Sequence, residues 1–110
     1  MKFMLFVCTD SDGEPYDAKS DTIGEWVAEM TANGRRLDGQ RLRPAQDATT
    51  VRVRNGKSLV TEGPLDGSKD AIAGFDIVEC VDLAQAVETA AQHPMARFGR
   101  IEIRPFWPFV

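Results

Sequence analysis

The stretch KFMLFVC, residues 2–8, is apolar on both faces of an extended segment. Side chains alternate across a strand. Phe3, Leu5 and Val7 therefore fall on one face, and Met4, Phe6 and Cys8 on the other. A strand apolar on both faces needs cover on both. The rest of the chain must supply those two layers.

Two helices supply one of them. Over residues 22–33, Ile23, Trp26, Val27 and Met30 recur at i, i+3, i+4 and i+7, which makes one apolar stripe. Thr22 and Glu25 have capping-box spacing, and Asn33-Gly34 ends the segment. Asp82 and Gln85 predict a second capped helix, with Leu83, Ala86, Val87 and Ala90 as its stripe. It stops near Gln92, because Pro94 disfavours helical geometry at His93. Trp26 is read as a core residue.

The strands are short and separated by turn residues. RRLDGQRLRP, residues 35–44, predicts a strand interrupted by a turn or bulge at Asp38-Gly39. Val51 and Val53 alternate with Arg52 and Arg54. Asn55-Gly56 then supplies a type I′ turn, and Lys57 to Thr61 returns as the partner strand. Residues 73–81 and 99–105 predict two further strands. Setting the hairpin aside leaves βαββαβ, a ferredoxin-like α+β order. Two helices cover one face of such a sheet. The second face is assigned to another copy of the chain, giving a homodimer with its sheets face to face. The tail FWPFV, residues 106–110, adds an aromatic patch of the kind that is seldom left in water.

Composition narrows the function classes. The chain has 110 residues, net charge −4 and apolar content of 43%. One domain spanning residues 1–110 is expected. The acidic balance argues against direct nucleic-acid binding. No apolar run reaches membrane-spanning length and no secretory leader is read, so the cytoplasm is the expected location. Cys8 and Cys80 read as buried reduced thiols. Two cysteines and one histidine make no zinc set, and no metal or cofactor is expected. Asp10, Asp12 and Glu14 lack the glycine and terminal glutamate of a calcium loop in register, and read as a turn rich in capping groups.

Several segments, taken in order, resemble the YCII-related superfamily in its DGPF-domain branch. They are Val60-Thr61-Glu62-Gly63-Pro64-Leu65, Ser68-Lys69-Asp70, Ala73-Gly74-Phe75 and Ile101-Glu102-Ile103-Arg104-Pro105, together with KFMLFV and the hairpin. The likeness runs from Lys2 to Pro105. Glu62 stands where the branch has Asp, Leu65 where it has Phe, and Ala73 where glycine is usual. The resemblance implies a dimeric α/β barrel built on ferredoxin-like units. Distant relatives look like small enzymes acting on enol or muconate-type acids, with a histidine and an aspartate as the acid-base pair. Their histidine belongs to the first helix, and this chain has none there. Other relatives occur beside sigma-factor-like regulators.

His93 is the one histidine in the chain. It reads either as a general acid-base group or as a helix-end residue held by the helix dipole. Glu62 acts as a base only if burial raises its pKa, and otherwise caps or pairs. Lys69 reads as an anion contact or a solvated loop lysine. Arg43 and Arg104 read as carboxylate contacts in an intersubunit cleft or as ion-pair partners. The stretch TEGPLDGSKDAIAGF, residues 61–75, is the expected cleft wall. The expected function is binding or transforming an anionic small organic molecule near a subunit interface. The alternative is a non-catalytic interaction module for transcription-regulatory partners.

Overall fold

The computed structural model describes residues 1–64 and 71–108. Its main elements are β1 (Lys2–Thr9), α1 (Ile23–Ala32), β2 (Arg36–Arg41), β3 (Thr49–Arg54), β4 (Lys57–Glu62), β5 (Ile72–Glu79), α2 (Leu83–Ala91), α3 (Met95–Phe98) and β6 (Gly99–Pro105). The class is α+β, with antiparallel pairing in both sheets. One sheet has the order β2-β5-β1-β6 and the other is the β3-β4 hairpin.

The core lies between the larger sheet and its helices. Phe3 and Leu5 of β1 and Val78 of β5 pack with Trp26 and Met30 of α1 and with Ala86 and Ala90 of α2. Full burial of each large apolar side chain contributes roughly 1.5–3 kcal/mol. The alternation read in KFMLFVC holds on this face. On the other face, Met4, Phe6, Phe75 and Ile77 are only half-buried. No described helix lies over them, so the second layer that the sequence calls for is not supplied by the described residues.

Three local readings need correction. Thr22 occupies the N-cap position of α1 but makes no side-chain cap bond. Its backbone is not extended, as capping requires. The carboxylate of Asp21 instead accepts from the Ile23 amide. In α2 the stripe is turned. Ala86, Thr89 and Ala90 are buried, whereas Leu83 and Val87 are exposed. Small residues let this helix approach the sheet closely. In β2 the irregularity falls between Arg36 and Asp38, so the extra residue is Leu37 rather than the Asp38-Gly39 pair.

Other readings hold. Asp82 caps α2 by accepting from the Gln85 amide, and the Gln85 side chain reaches back to the Val81 amide. Asn55 and Gly56 both have positive φ, at 53° and 75°, as a type I′ turn requires. The hairpin stands off the larger sheet with Val51, Val53 and Val60 exposed. The radius of gyration is 15.9 Å, against about 13 Å for a compact chain of this length. Trp107, in the tail, is 88% exposed.

Candidate functional site

A cavity of about 580 Å³ opens on the helix-covered side of the sheet, at the end where β2 finishes and β5 begins. Its polar walls include Arg36, Arg41, Asp76, His93, Tyr16 and Asp21. Its apolar walls include Ile23 and Val27 of α1.

Two features of the sheet create it. The first is the Leu37 bulge. An extra residue reverses the side-chain alternation of a strand. Arg36 pairs with Val78 and Gly39 with Asp76, so both point to the helix side although three positions apart. The second is the absence of side chains at Gly39 and Gly74. A Cβ on Gly39 would overlap the Asp76 carboxylate and the Arg36 guanidinium. A Cβ on Gly74 would come within 2.8 Å of the Gln40 carbonyl oxygen. Glycine inside a strand often marks such a close approach.

The floor is a buried chain of ionisable side chains. Asp76 is 5% exposed and His93 is 3% exposed. Arg36 donates from Nε to Asp76 Oδ1 at 2.9 Å. On the other side, Asp76 Oδ2 lies 3.5 Å from His93 Nε2. A buried carboxylate needs such partners, because desolvation of an unpaired charge is expensive.

The imidazole is held from three directions. Its Nδ1 accepts from the Met95 amide at 3.0 Å. In the neutral ring that bond leaves the proton on Nε2, the nitrogen facing Asp76. The ring packs on Trp26 with centroids 4.6 Å apart. Pro94 follows it as the N-cap of α3, and its ring fixes the backbone φ there. A separation of 3.5 Å is long for a direct hydrogen bond. It leaves Asp76 Oδ2 and His93 Nε2–H close together but not committed to each other.

The mouth is built by the 10–21 segment. Tyr16 donates its hydroxyl to Asp21 Oδ2 at 2.6 Å. That bond raises the Tyr16 pKa, because it would be lost as a donor on ionisation. The same segment is tied down by ion pairs of Asp10 with Arg100 and of Glu14 with Arg97. These carboxylates therefore serve the turn that the sequence implied.

The predicted site residues scatter. His93 lines the cavity directly after the end of α2, where it is buried beside Asp76. Glu62 is exposed at the end of β4 and lines neither described cavity. Arg43 pairs with Asp47 at 3.1 Å and lines a different cavity of about 520 Å³. Arg104 is on the opposite face of the sheet, over the Phe6 ring and paired with Glu102. Lys69, with Leu65, Ser68 and Asp70, lies outside the described residues. Asp76, Arg36 and Arg41 were not singled out. The available signal was Asp76 itself, a charged residue on the core-facing register of GFDIVEC, alternating with Gly74, Val78 and Cys80.

Among the described residues no helix is long and apolar enough to cross a membrane, and no group of three or more His, Cys, Asp or Glu side chains is placed to hold a metal ion. Comparison with known proteins found an uncharacterized protein of Rhizobium meliloti (strain 1021), 33% identical over 67 residues. The match covers 59% of this chain and 54% of that protein, so the chain spans about half the length of the curated relative it matches. The model of the YCII-related domain matches residues 1–110, and the chain belongs to the YCII-related family.

Proposed function

We propose that the cavity binds a small anionic organic molecule and that Asp76 and His93 move a proton on it. The observation that carries this reading is the buried Arg36–Asp76–His93 chain on the wall of an open cavity. Arg36 offsets the charge of Asp76 and orients its carboxylate, which leaves Oδ2 to accept a proton. His93 offers Nε2–H beside it, as donor to an oxygen of the bound molecule. An acceptor and a donor held 3.5 Å apart by the fold suit a carbon acid that passes through an enol or enolate.

The reading extends to assembly. The order β2-β5-β1-β6, with the hairpin set aside, supports a ferredoxin-like reading, which we extend to the DGPF-type branch of the family. The half-buried row of Met4, Phe6, Phe75 and Ile77 is flanked by Arg104 and Glu102 of β6. A second copy supplies the missing layer and closes a dimeric barrel. The buried, reduced thiols of Cys8 and Cys80 suit a reducing compartment such as the cytoplasm. A second reading, a non-catalytic interaction module with regulatory partners, is favoured by the hairpin with its exposed valines and by Trp107.

The test is solvent deuterium exchange into a mixture of 2-oxo and enol acids, followed by NMR. The native chain should accelerate exchange at the carbon next to the carbonyl, and Asp76→Asn and His93→Gln should abolish it. Exchange no faster with the native chain than with Asp76→Asn would end the proton-transfer reading.

A further inference from the structure

The arginines of this chain fall into two groups. Arg35 contacts Thr89 and Glu88, Arg36 contacts Asp76, Arg43 contacts Asp47 and Arg97 contacts Glu14. Arg100 contacts Asp10, Arg104 contacts Glu102 and Arg54 donates to the Val53 carbonyl. Arg41 is different. No hydrogen bond or ion pair joins its side chain to another described residue, yet it lines the cavity that holds Asp76 and His93. Arg52 also has a buried Nε without a partner, but it sits on β3 and lines neither described cavity.

The position of Arg41 follows from strand register. Arg41 pairs with Gly74, and Gly39 pairs with Asp76. Alternation puts Arg41 on the same side of the sheet as Asp76, one row away, about 7 Å along the strand. Gly74 has no side chain to fill the space beside it. Arg41 and Tyr16 line the same cavity, and the Arg41 charge only partly opposes the rise in the Tyr16 pKa that the Asp21 hydrogen bond causes.

The charges around the cavity limit what fits. Arg36 is spent on Asp76. Asp21 stands at the mouth, accepting from Tyr16 and from the Ile23 amide. Arg41 is therefore the cavity cation with its fork open. One guanidinium fork matches one carboxylate. A phosphate monoester brings nearly two charges to a cavity that already holds two aspartates, and is disfavoured. Ile23, Val27, Val7 and Met95 offer an apolar wall for the body of the ligand.

We propose that Arg41 is the anion anchor of this cavity and that its ligand class is a small monocarboxylate with an apolar body. The assignment rests on the reading of the cavity as a ligand site. It holds the carboxylate near the mouth, with the rest of the molecule directed toward Asp76 and His93.

The test reads binding, so it stands or fails separately from proton transfer. Fluorine NMR would follow 3-fluorobenzoate and its neutral counterpart 3-fluorobenzamide with the full chain. The acid should broaden and shift on binding, and the amide should not. Arg41→Gln should weaken binding of the acid about tenfold or more, the loss expected for a charge-assisted fork. Arg41→Lys should fall between, keeping the charge without the fork. Arg54→Gln, on the hairpin, should match the native chain and report any loss caused by surface charge alone. Inorganic phosphate at equal concentration should not displace the acid. Absence of acid binding by the native chain, equal binding of the amide, unchanged affinity in Arg41→Gln, or displacement by phosphate would each overturn the assignment.

Discussion

Gly39 of β2 packs so closely against Asp76 of β5 that a Cβ at Gly39 would overlap the Asp76 carboxylate oxygen that accepts from Arg36. The glycine and the ion pair are thus one structural unit. Gly39→Ala should cost about 1–3 kcal/mol, the usual penalty for forcing atoms into a packed site. Urea denaturation measures it. In an Asp76→Ser background the same alanine should cost less, because the clashing carboxylate is gone. Equal cost in both backgrounds would show that the backbone, and not the ion pair, opposes the methyl.

Tyr16 is the only tyrosine in the chain, so its ionisation can be followed directly by phenolate absorbance. The hydrogen bond to Asp21 holds its pKa above the ordinary tyrosine value. The protonated hydroxyl is the form the fold favours. Its stabilising contribution is therefore complete below the ordinary value and lost as pH rises through the folded one. Asp21→Asn should bring the midpoint down toward that of a free tyrosine. An unchanged midpoint would mean that the Tyr16–Asp21 bond does not persist in solution.

Asp10 titrates in the opposite sense. The Asp12 amide, and then the Arg100 guanidinium, hold its pKa below the usual aspartate range. The carboxylate is the favoured form. Its contribution is present above the ordinary value and lost as pH falls through the folded one. Carbon-resolved NMR titration should show a low Asp10 midpoint. Arg100→Gln should raise that midpoint only in part, because the Asp12 amide still donates. Full reversion would assign the whole effect to Arg100.

Phe6 and Phe75 face each other across β1 and β5 on the open side of the sheet. If a second copy covers them, Phe6→Asp should convert a dimer to a monomer in sedimentation velocity. A buried unpaired carboxylate on each side of the interface is costly enough to separate the subunits. The helix-side core lies on the opposite face, so the variant should keep native far-ultraviolet circular dichroism. A native chain that sediments as a monomer would refute the covered-face reading outright.

Asp82→Ala removes the side chain that accepts from the Gln85 amide at the start of α2. Loss of such a cap costs about 1 kcal/mol. The urea midpoint should fall accordingly. Asp82→Asn should recover most of the loss, since an amide oxygen also accepts. A similar loss in both variants would point to charge rather than capping.

Local sequence, by itself, determined the elements. KFMLFVC reads as a strand because its apolar residues alternate onto two faces, and Asn55-Gly56 turns the hairpin because both positions accept positive φ. Asp82 and Gln85 cap α2 within four residues of one another. These are short-range effects, and short-range patterns carry them. Thr22 shows the limit even there: its backbone is not extended and its hydroxyl makes no cap bond, while Asp21 accepts from the Ile23 amide.

The site was decided by tertiary structure. His93 was visible as the one histidine, but its partner Asp76 lies far away in sequence and meets it only when β5 packs beneath the α2–α3 corner. Arg36 reaches Asp76 because one bulged residue, Leu37, reverses the alternation of β2. Glu62, Arg43 and Arg104 looked equally suited by residue type, yet the same geometry sends them elsewhere. Residue type records what chemistry a side chain can perform. Strand register and a single bulge decide which side chains share a cavity, because a one-residue shift in a strand moves each side chain to the opposite face.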